Sequence, residues 1–145
     1  MRISDVLRGK SDQVVTVPPD TPVEQLLTVL ADHRIGAAVV SREGSTVDGI
    51  VSERDIVRAL AARGVGVLGE PVSAIQTSDV FTTAPDAALA DVERVMTERR
   101  FRHVPVVVDG TLRGIVSIGD VVKKRIDELE SERSELTGYI TGERI

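Results

Sequence analysis

The chain of 145 residues has no cysteine and no tryptophan, and only one tyrosine and two phenylalanines. Without cysteine, neither a disulfide framework nor a thiolate zinc site can form. His33 and His103 lie far apart in sequence, which gives no metal-ligand spacing, and no metal is expected to be required. Phe81, Phe101 and Tyr139 are too few for the multi-ring platforms on which single-stranded nucleic acids stack. The net charge is −5, not the basic excess of a nucleic-acid binder, so nucleic acid is not an expected partner. No apolar run approaches the ~20 residues of a membrane span, and Met1-Arg2-Ile3-Ser4-Asp5 starts no apolar signal region. No membrane partner is expected, and a cytoplasmic location follows by default. A Walker-type phosphate loop is missing, and neither a Ser/His/Asp nor a metal-ligand constellation can be assembled. The composition therefore points away from an enzyme.

What is present is a packable chain, 41% hydrophobic and 28% charged, written twice. Pro85-Asp86 repeats Pro19-Asp20 at an offset of 66 residues (85 − 19). At that offset Val14-Val15-Thr16 falls on Val80-Phe81-Thr82, Leu26 on Val92, Leu30 on Met96 and Arg34 on Arg100. A prefix repeats as well, Ile3-Ser4-Asp5-Val6 against Val72-Ser73-Ala74-Ile75. The most distinctive pair is Gly49-Ile50-Val51-Ser52-Glu53-Arg54-Asp55 and Gly114-Ile115-Val116-Ser117-Ile118-Gly119-Asp120. Repeats of this kind predict similar units built around a shared core.

Each copy predicts an α+β unit of order β-α-β-β-α. An extended stretch (14–17; 80–83) ends in a Pro-containing turn. In copy one, Thr21-Pro22-Val23-Glu24 then reads as an N-cap, a first-turn proline and a capping-box acid. Val23, Leu26, Leu27 and Leu30 form one apolar helix face, as do Leu89, Val92, Val95 and Met96. A strand (37–41; 103–108), a Glu43-Gly44 or Asp109-Gly110 turn and a returning strand (47–51; 112–116) complete a hairpin that feeds the second helix. The Gly-rich stretch 64–69 reads as the linker. Residues 1–66 form the first unit with its N-terminal segment, 67–126 the second, and 127–145 a helical extension. Along that extension Val122, Ile126, Leu129, Arg133, Leu136 and Ile140 alternate by four and three, the spacing of a short coiled-coil seam.

The repeated serine and aspartate have two readings. A helix start presents free N–H groups to an anion, and a hydroxyl there can join them on a phosphate. An aspartate three residues on lies on the same side of the helix and can accept from two ribose hydroxyls. The alternative is purely structural, because Ser-x-x-Asp is also a reciprocal helix cap. Recurrence of both residues behind the same Gly-Ile-Val strand, while the residues between them change, favours a ligand. In this element order the duplicated motif, with Arg102-His103-Val104-Pro105-Val106-Val107 before the second turn, resembles a tandem pair of cystathionine-β-synthase (CBS) domains, a Bateman module, over residues 1–126.

The resemblance implies two repeats packed with pseudo-two-fold symmetry and a regulatory, energy- or redox-sensing role. It implies an adenosine ligand (AMP, ADP, ATP, NAD or S-adenosylmethionine) in clefts between the repeats. Ribose falls to Asp55 and Asp120, and phosphate to Ser52 and Ser117. Adenine falls to Val14, Thr16, Ala37 and Ala38 in one copy and to Val80, Thr82, His103, Val104 and Pro105 in the other. It also implies a homodimer, paired through the CBS helices and the C-terminal helix, that signals to an effector protein. Within the residues themselves, Arg54 supplies a fixed cation beside Asp55. Small residues Gly36-Ala37-Ala38 are expected to line that same site. The second copy has Gly119 at the Arg54 position, so Arg102 and its neighbours in Arg99-Arg100-Phe101-Arg102-His103 are expected to hold phosphate near Asp120. Phe81 and Phe101 are expected in the core. Two other functions compete: a ligand-free interaction module whose Ser/Asp pairs only cap helices, and a nucleotide-hydrolysing enzyme.

Overall fold

A computed structural model describes residues 1–10 and 14–141, with side chains described through residue 138. Helix α1 (Ile3–Leu7) precedes β1 (Thr16–Val17), α2 (Val23–His33), β2 (Ala37–Val40), β3 (Gly49–Ser52) and α3 (Glu53–Arg63). Two 3₁₀ turns, Val65–Gly69 and Val72–Ala74, lead into α4 (Leu89–Arg99), β4 (His103–Val108), β5 (Thr111–Ser117) and α5 (Ile118–Thr141). The fold is the expected mixture of helix and strand with a long C-terminal helix.

In the first repeat β1 runs parallel to β2, and β2 antiparallel to β3, with Ala37 opposite Ser52. In the second, β4 and β5 pair alone, with His103 opposite Ser117 at the equivalent register. The strand expected at 80–83 does not form; a single parallel bridge joins Thr83 to Val106. The cause is one residue. Val39 donates its N–H to Val15 O at 3.3 Å, and 66 positions on stands Pro105, which has no N–H to give. The second copy keeps only the flanking bonds, Thr83 N to Pro105 O and Val107 N to Thr83 O. The hairpin turn at Asp109-Gly110 takes left-handed φ values of 50° and 77°, as a two-residue type I′ loop requires.

The start of α2 departs from its expected cap. Thr21 is buried and makes no side-chain cap, and Pro22 occupies the N-cap position. The orphan N–H of Val23 is taken instead by Glu70 O at 2.9 Å, so the segment between the repeats does the capping. That segment is not a loose linker, because Val67 within it is buried. The apolar face of α2 is also narrower than expected. Val23, Leu26 and Leu30 are buried, but Leu27 is 39% exposed.

Two clusters form the core, and the prefixes are exchanged between them. Ile3 and Val6 of α1 pack with Leu89, Val92, Met96 and the β4–β5 valines of the second repeat. Val72 and Ile75 pack with Val23, Leu26, Val40 and Val51 of the first. Each repeat thus completes the other's core, which fixes their mutual position. Helix α5 packs through Val121, and Arg125 pairs with Glu93 of α4 and with Glu128. Its seam is uncovered, with Val122, Ile126, Leu129 and Leu136 between 49% and 62% exposed. The Ile140 side chain lies outside the described residues. No described helix is long and apolar enough to cross a membrane.

Two clefts built from both repeats

Both Ser-x-x-Asp pairs close as capping boxes. Asp55 Oδ2 accepts from Ser52 N at 2.8 Å and from Ser52 Oγ at 3.1 Å, while Ser52 Oγ accepts from Asp55 N at 3.2 Å. Asp120 Oδ2 accepts from Ser117 N at 2.8 Å, and Ser117 Oγ accepts from Asp120 N at 3.1 Å. The first N–H of each helix is also spent: Glu53 N donates to Gly36 O at 2.9 Å and Ile118 N to Arg102 O at 2.8 Å. At each helix start, among the described residues, these bonds leave the N–H of Arg54 or Gly119 for a ligand, together with Oδ1 of the aspartate.

Each pair opens on a cleft. The Asp55 cleft encloses about 540 Å³ and the Asp120 cleft about 530 Å³, both inside the ~300–1,000 Å³ range of small-molecule sites. Neither cleft belongs to one repeat. Ser52, Arg54 and Asp55 of the first copy face Val80, Phe81 and the Arg99–His103 run of the second. Ser117 and Asp120 of the second copy face Val14, Val15, Ile35, Gly36 and Ala37 of the first.

This crossing corrects the expected grouping. Arg102 and its arginine neighbours lie in the Asp55 cleft with Arg54, not beside Asp120. Gly36, Ala37, His103 and Ser117 line both clefts and so sit where the two meet. Val14 and Val80 each line one cleft. Ala38 and Val104 are buried in the two core clusters, Pro105 is buried within β4, and Thr16 and Thr82 line neither cleft. Phe81 and Phe101 are only half-buried. Their rings stack at 6.3 Å with 15° between planes and form an apolar wall of the Asp55 cleft.

The positive charge near Asp120 comes from a residue the motifs do not flag. Lys10, just after α1, donates to Asp120 Oδ2 at 2.6 Å and to Ile115 O at 2.8 Å. Burial opposes ionisation of Asp120, but the bonds from Lys10 and Ser117 outweigh it and hold the carboxyl below its usual value. His103 shifts the other way. Burial lowers its pKa and nearby Lys10 adds to that, against the pull of Asp120 and Glu53, so the neutral ring is favoured between the clefts. Among the described residues no group of three or more His, Asp or Glu is placed to hold a metal ion.

Duplicated strand-to-helix motifs with exchanged prefixes and clefts between the copies match one family. Its CBS domain profile covers residues 3–62 and 72–127. The chain belongs to the CBS-domain family. It is 32% identical to the mitochondrial CBS domain-containing protein CBSX3 of Arabidopsis thaliana, over 97% of this chain and 72% of that protein. The crystal structure of the CBS-domain protein ATU1752 from Agrobacterium tumefaciens superposes with a TM-score of 0.83 at 42% identity, covering 86% of this chain and 99% of that one. The CBS domain protein PAE2072 from Pyrobaculum aerophilum, whose structure contains AMP, gives a TM-score of 0.73 at 32% identity, covering 83% and 89%.

Within this CBS pair several cleft residues escaped the sequence reading: Lys10, Arg34, Arg58, Asp79 and Arg113. One had a usable signal. Arg34 is equivalent in the repeat to Arg100, and both end their helices in the left-handed conformation, φ 54° and 58°. That bend carries the chain from helix to strand along a cleft wall.

Proposed function

We propose that the chain is a regulatory module that binds an adenosine nucleotide in each inter-repeat cleft and passes its occupancy to a partner protein. The observation that carries this reading is the crossing. Each Ser-x-x-Asp pair faces strands of the opposite repeat, so a ligand filling a cleft touches both repeats and its binding energy acts on their relation. Asp55 and Asp120 would accept ribose hydroxyls through Oδ1. Val14 with Ala37, and Val80 with the Phe81–Phe101 wall, would hold the base. AMP in the PAE2072 structure, at 32% identity, supports an adenosine ligand; AMP, ADP, ATP and NAD all suit clefts of this size. The exposed α5 seam suits pairing with a second copy. A ligand-free reading also has an observation behind it, since both Ser/Asp pairs already satisfy helix starts.

A thermal-shift screen with AMP, ADP, ATP and NAD separates the readings. A ligand held only by the folded state raises Tm by mass action, about 2.7 kcal/mol at one hundred times Kd. No shift with any of the four at millimolar concentration leaves the caps-only reading.

A further inference from the structure

The two clefts differ most in their guanidinium groups. Arg54, Arg58, Arg99, Arg100 and Arg102 all line the Asp55 cleft. Glu53, Asp55 and Asp79 line it as well, yet among the described residues none of the five arginines makes an ion pair or a side-chain hydrogen bond. Five guanidiniums against three carboxylates give this concavity an excess of positive charge in a chain of net charge −5, and unpaired like charges repel unless an anion joins them. The repeat provides an internal control. At the positions equivalent to Arg99, Arg100 and Arg102 the first copy has His33, Arg34 and Gly36, and at the position of Arg54 the second has Gly119. Arg34 and Arg113 are the guanidiniums of the Asp120 cleft, and its Lys10 is committed to Asp120. Helix-start amides do not make up the difference, because most of them are already bonded in both copies.

We propose that the clefts divide ligands by phosphate count: the Asp55 cleft takes a polyphosphate, such as a nucleoside triphosphate, and the Asp120 cleft a nucleoside monophosphate. The nucleoside half of this statement rests on the adenosine reading above; the phosphate half rests on the arginines alone. Guanidiniums suit the task because each forms two parallel bonds to a phosphate.

Calorimetric titration with ATP, AMP and inorganic tripolyphosphate, free of divalent cations, tests it. Sites are assigned by Asp55→Asn and Asp120→Asn, which keep a cap acceptor. ATP is expected to bind the Asp55 cleft at least about tenfold more tightly than AMP does, and tripolyphosphate to compete with ATP there. In Arg54→Gln/Arg102→Gln, with both residues exposed and outside the core, that preference is expected to fall by about tenfold. Equal affinity of ATP and AMP at the Asp55 cleft, an ATP preference lost with Asp120→Asn instead, or full retention in the double arginine variant overturns the proposal. The two readings fail differently. If tripolyphosphate binds as tightly as ATP while AMP binds nowhere, the adenosine reading falls and the polyanion site stands. If AMP fills both clefts and ATP does no better, the polyanion site falls and the adenosine reading stands.

Discussion

Replacing Lys10 by methionine tests how the Asp120 cleft is held together. Methionine keeps an unbranched apolar stem and removes the charge. The lost group makes two bonds, at 2.6 Å to Asp120 Oδ2 and 2.8 Å to Ile115 O, and the Lys10 and Asp120 side chains are 31% and 25% exposed. That exposure lies between a surface pair, worth roughly 0.2–1 kcal/mol, and a well-buried charged hydrogen bond, worth about 1.5–3 kcal/mol. A loss of about 1–1.5 kcal/mol at pH 7 follows, or roughly 3–5 °C in Tm for a chain of this size. The loss must depend on pH with a fixed sign. The Asp120 pKa is lowered in the folded protein, so its stabilisation is fully present above the unfolded carboxylate value of about 3.9 and is lost as pH falls through the folded value. Urea denaturation followed by circular dichroism, for wild type and Lys10→Met at pH 7 and at pH 3 or below, reads both points. A deficit at pH 7 that shrinks toward zero in acid supports the reasoning. A deficit of the same size at both pH values, or none at pH 7, refutes it.

The other predictions concern packing, backbone and assembly. Leu26→Ala, at a fully buried position, should cost about 2–5 kcal/mol, whereas Leu27→Ala, one residue on and 39% exposed, should cost under about 1 kcal/mol by the same denaturation assay. Arg34→Gly relieves a left-handed residue at the α2 C-terminus and should stabilise by about 0.5–1 kcal/mol; any loss of stability would count against a strained cap. Light scattering should find a dimer for the wild type and a monomer for Ile126→Glu/Leu129→Glu, because two charges would interrupt the exposed seam. A wild-type monomer would remove α5 as a pairing surface.

Much of the fold could be read from the chain because its signals are local. The Asp-Gly turn, the Val23/Leu26/Leu30 spacing and the Gly-Ile-Val run into Ser-x-x-Asp each concern a few consecutive residues, and each appears as an element. What could not be read depends on partners distant in sequence. Thr21 has the chemistry of a cap, but Glu70 O, brought in by the exchanged prefix, takes the N–H that needed one. The strand expected at 80–83 has good β-formers, yet its pairing fails at Pro105, more than twenty residues away. The motif residues themselves were legible. Their grouping was not, because repetition suggests one self-contained site per copy while the cores interlock and cross the clefts. Lys10 carried no motif, and its role follows only from α1 docking on the second repeat.

The most direct test of the account is the number of AMP sites by isothermal titration. Wild type should titrate with two sites, Asp55→Asn and Asp120→Asn with one each, and the double variant with none, all four keeping cooperative unfolding. A double variant that still takes up AMP with wild-type heat and stoichiometry, or a folded wild type that takes up none, would contradict the claim that these crossed clefts are nucleotide sites.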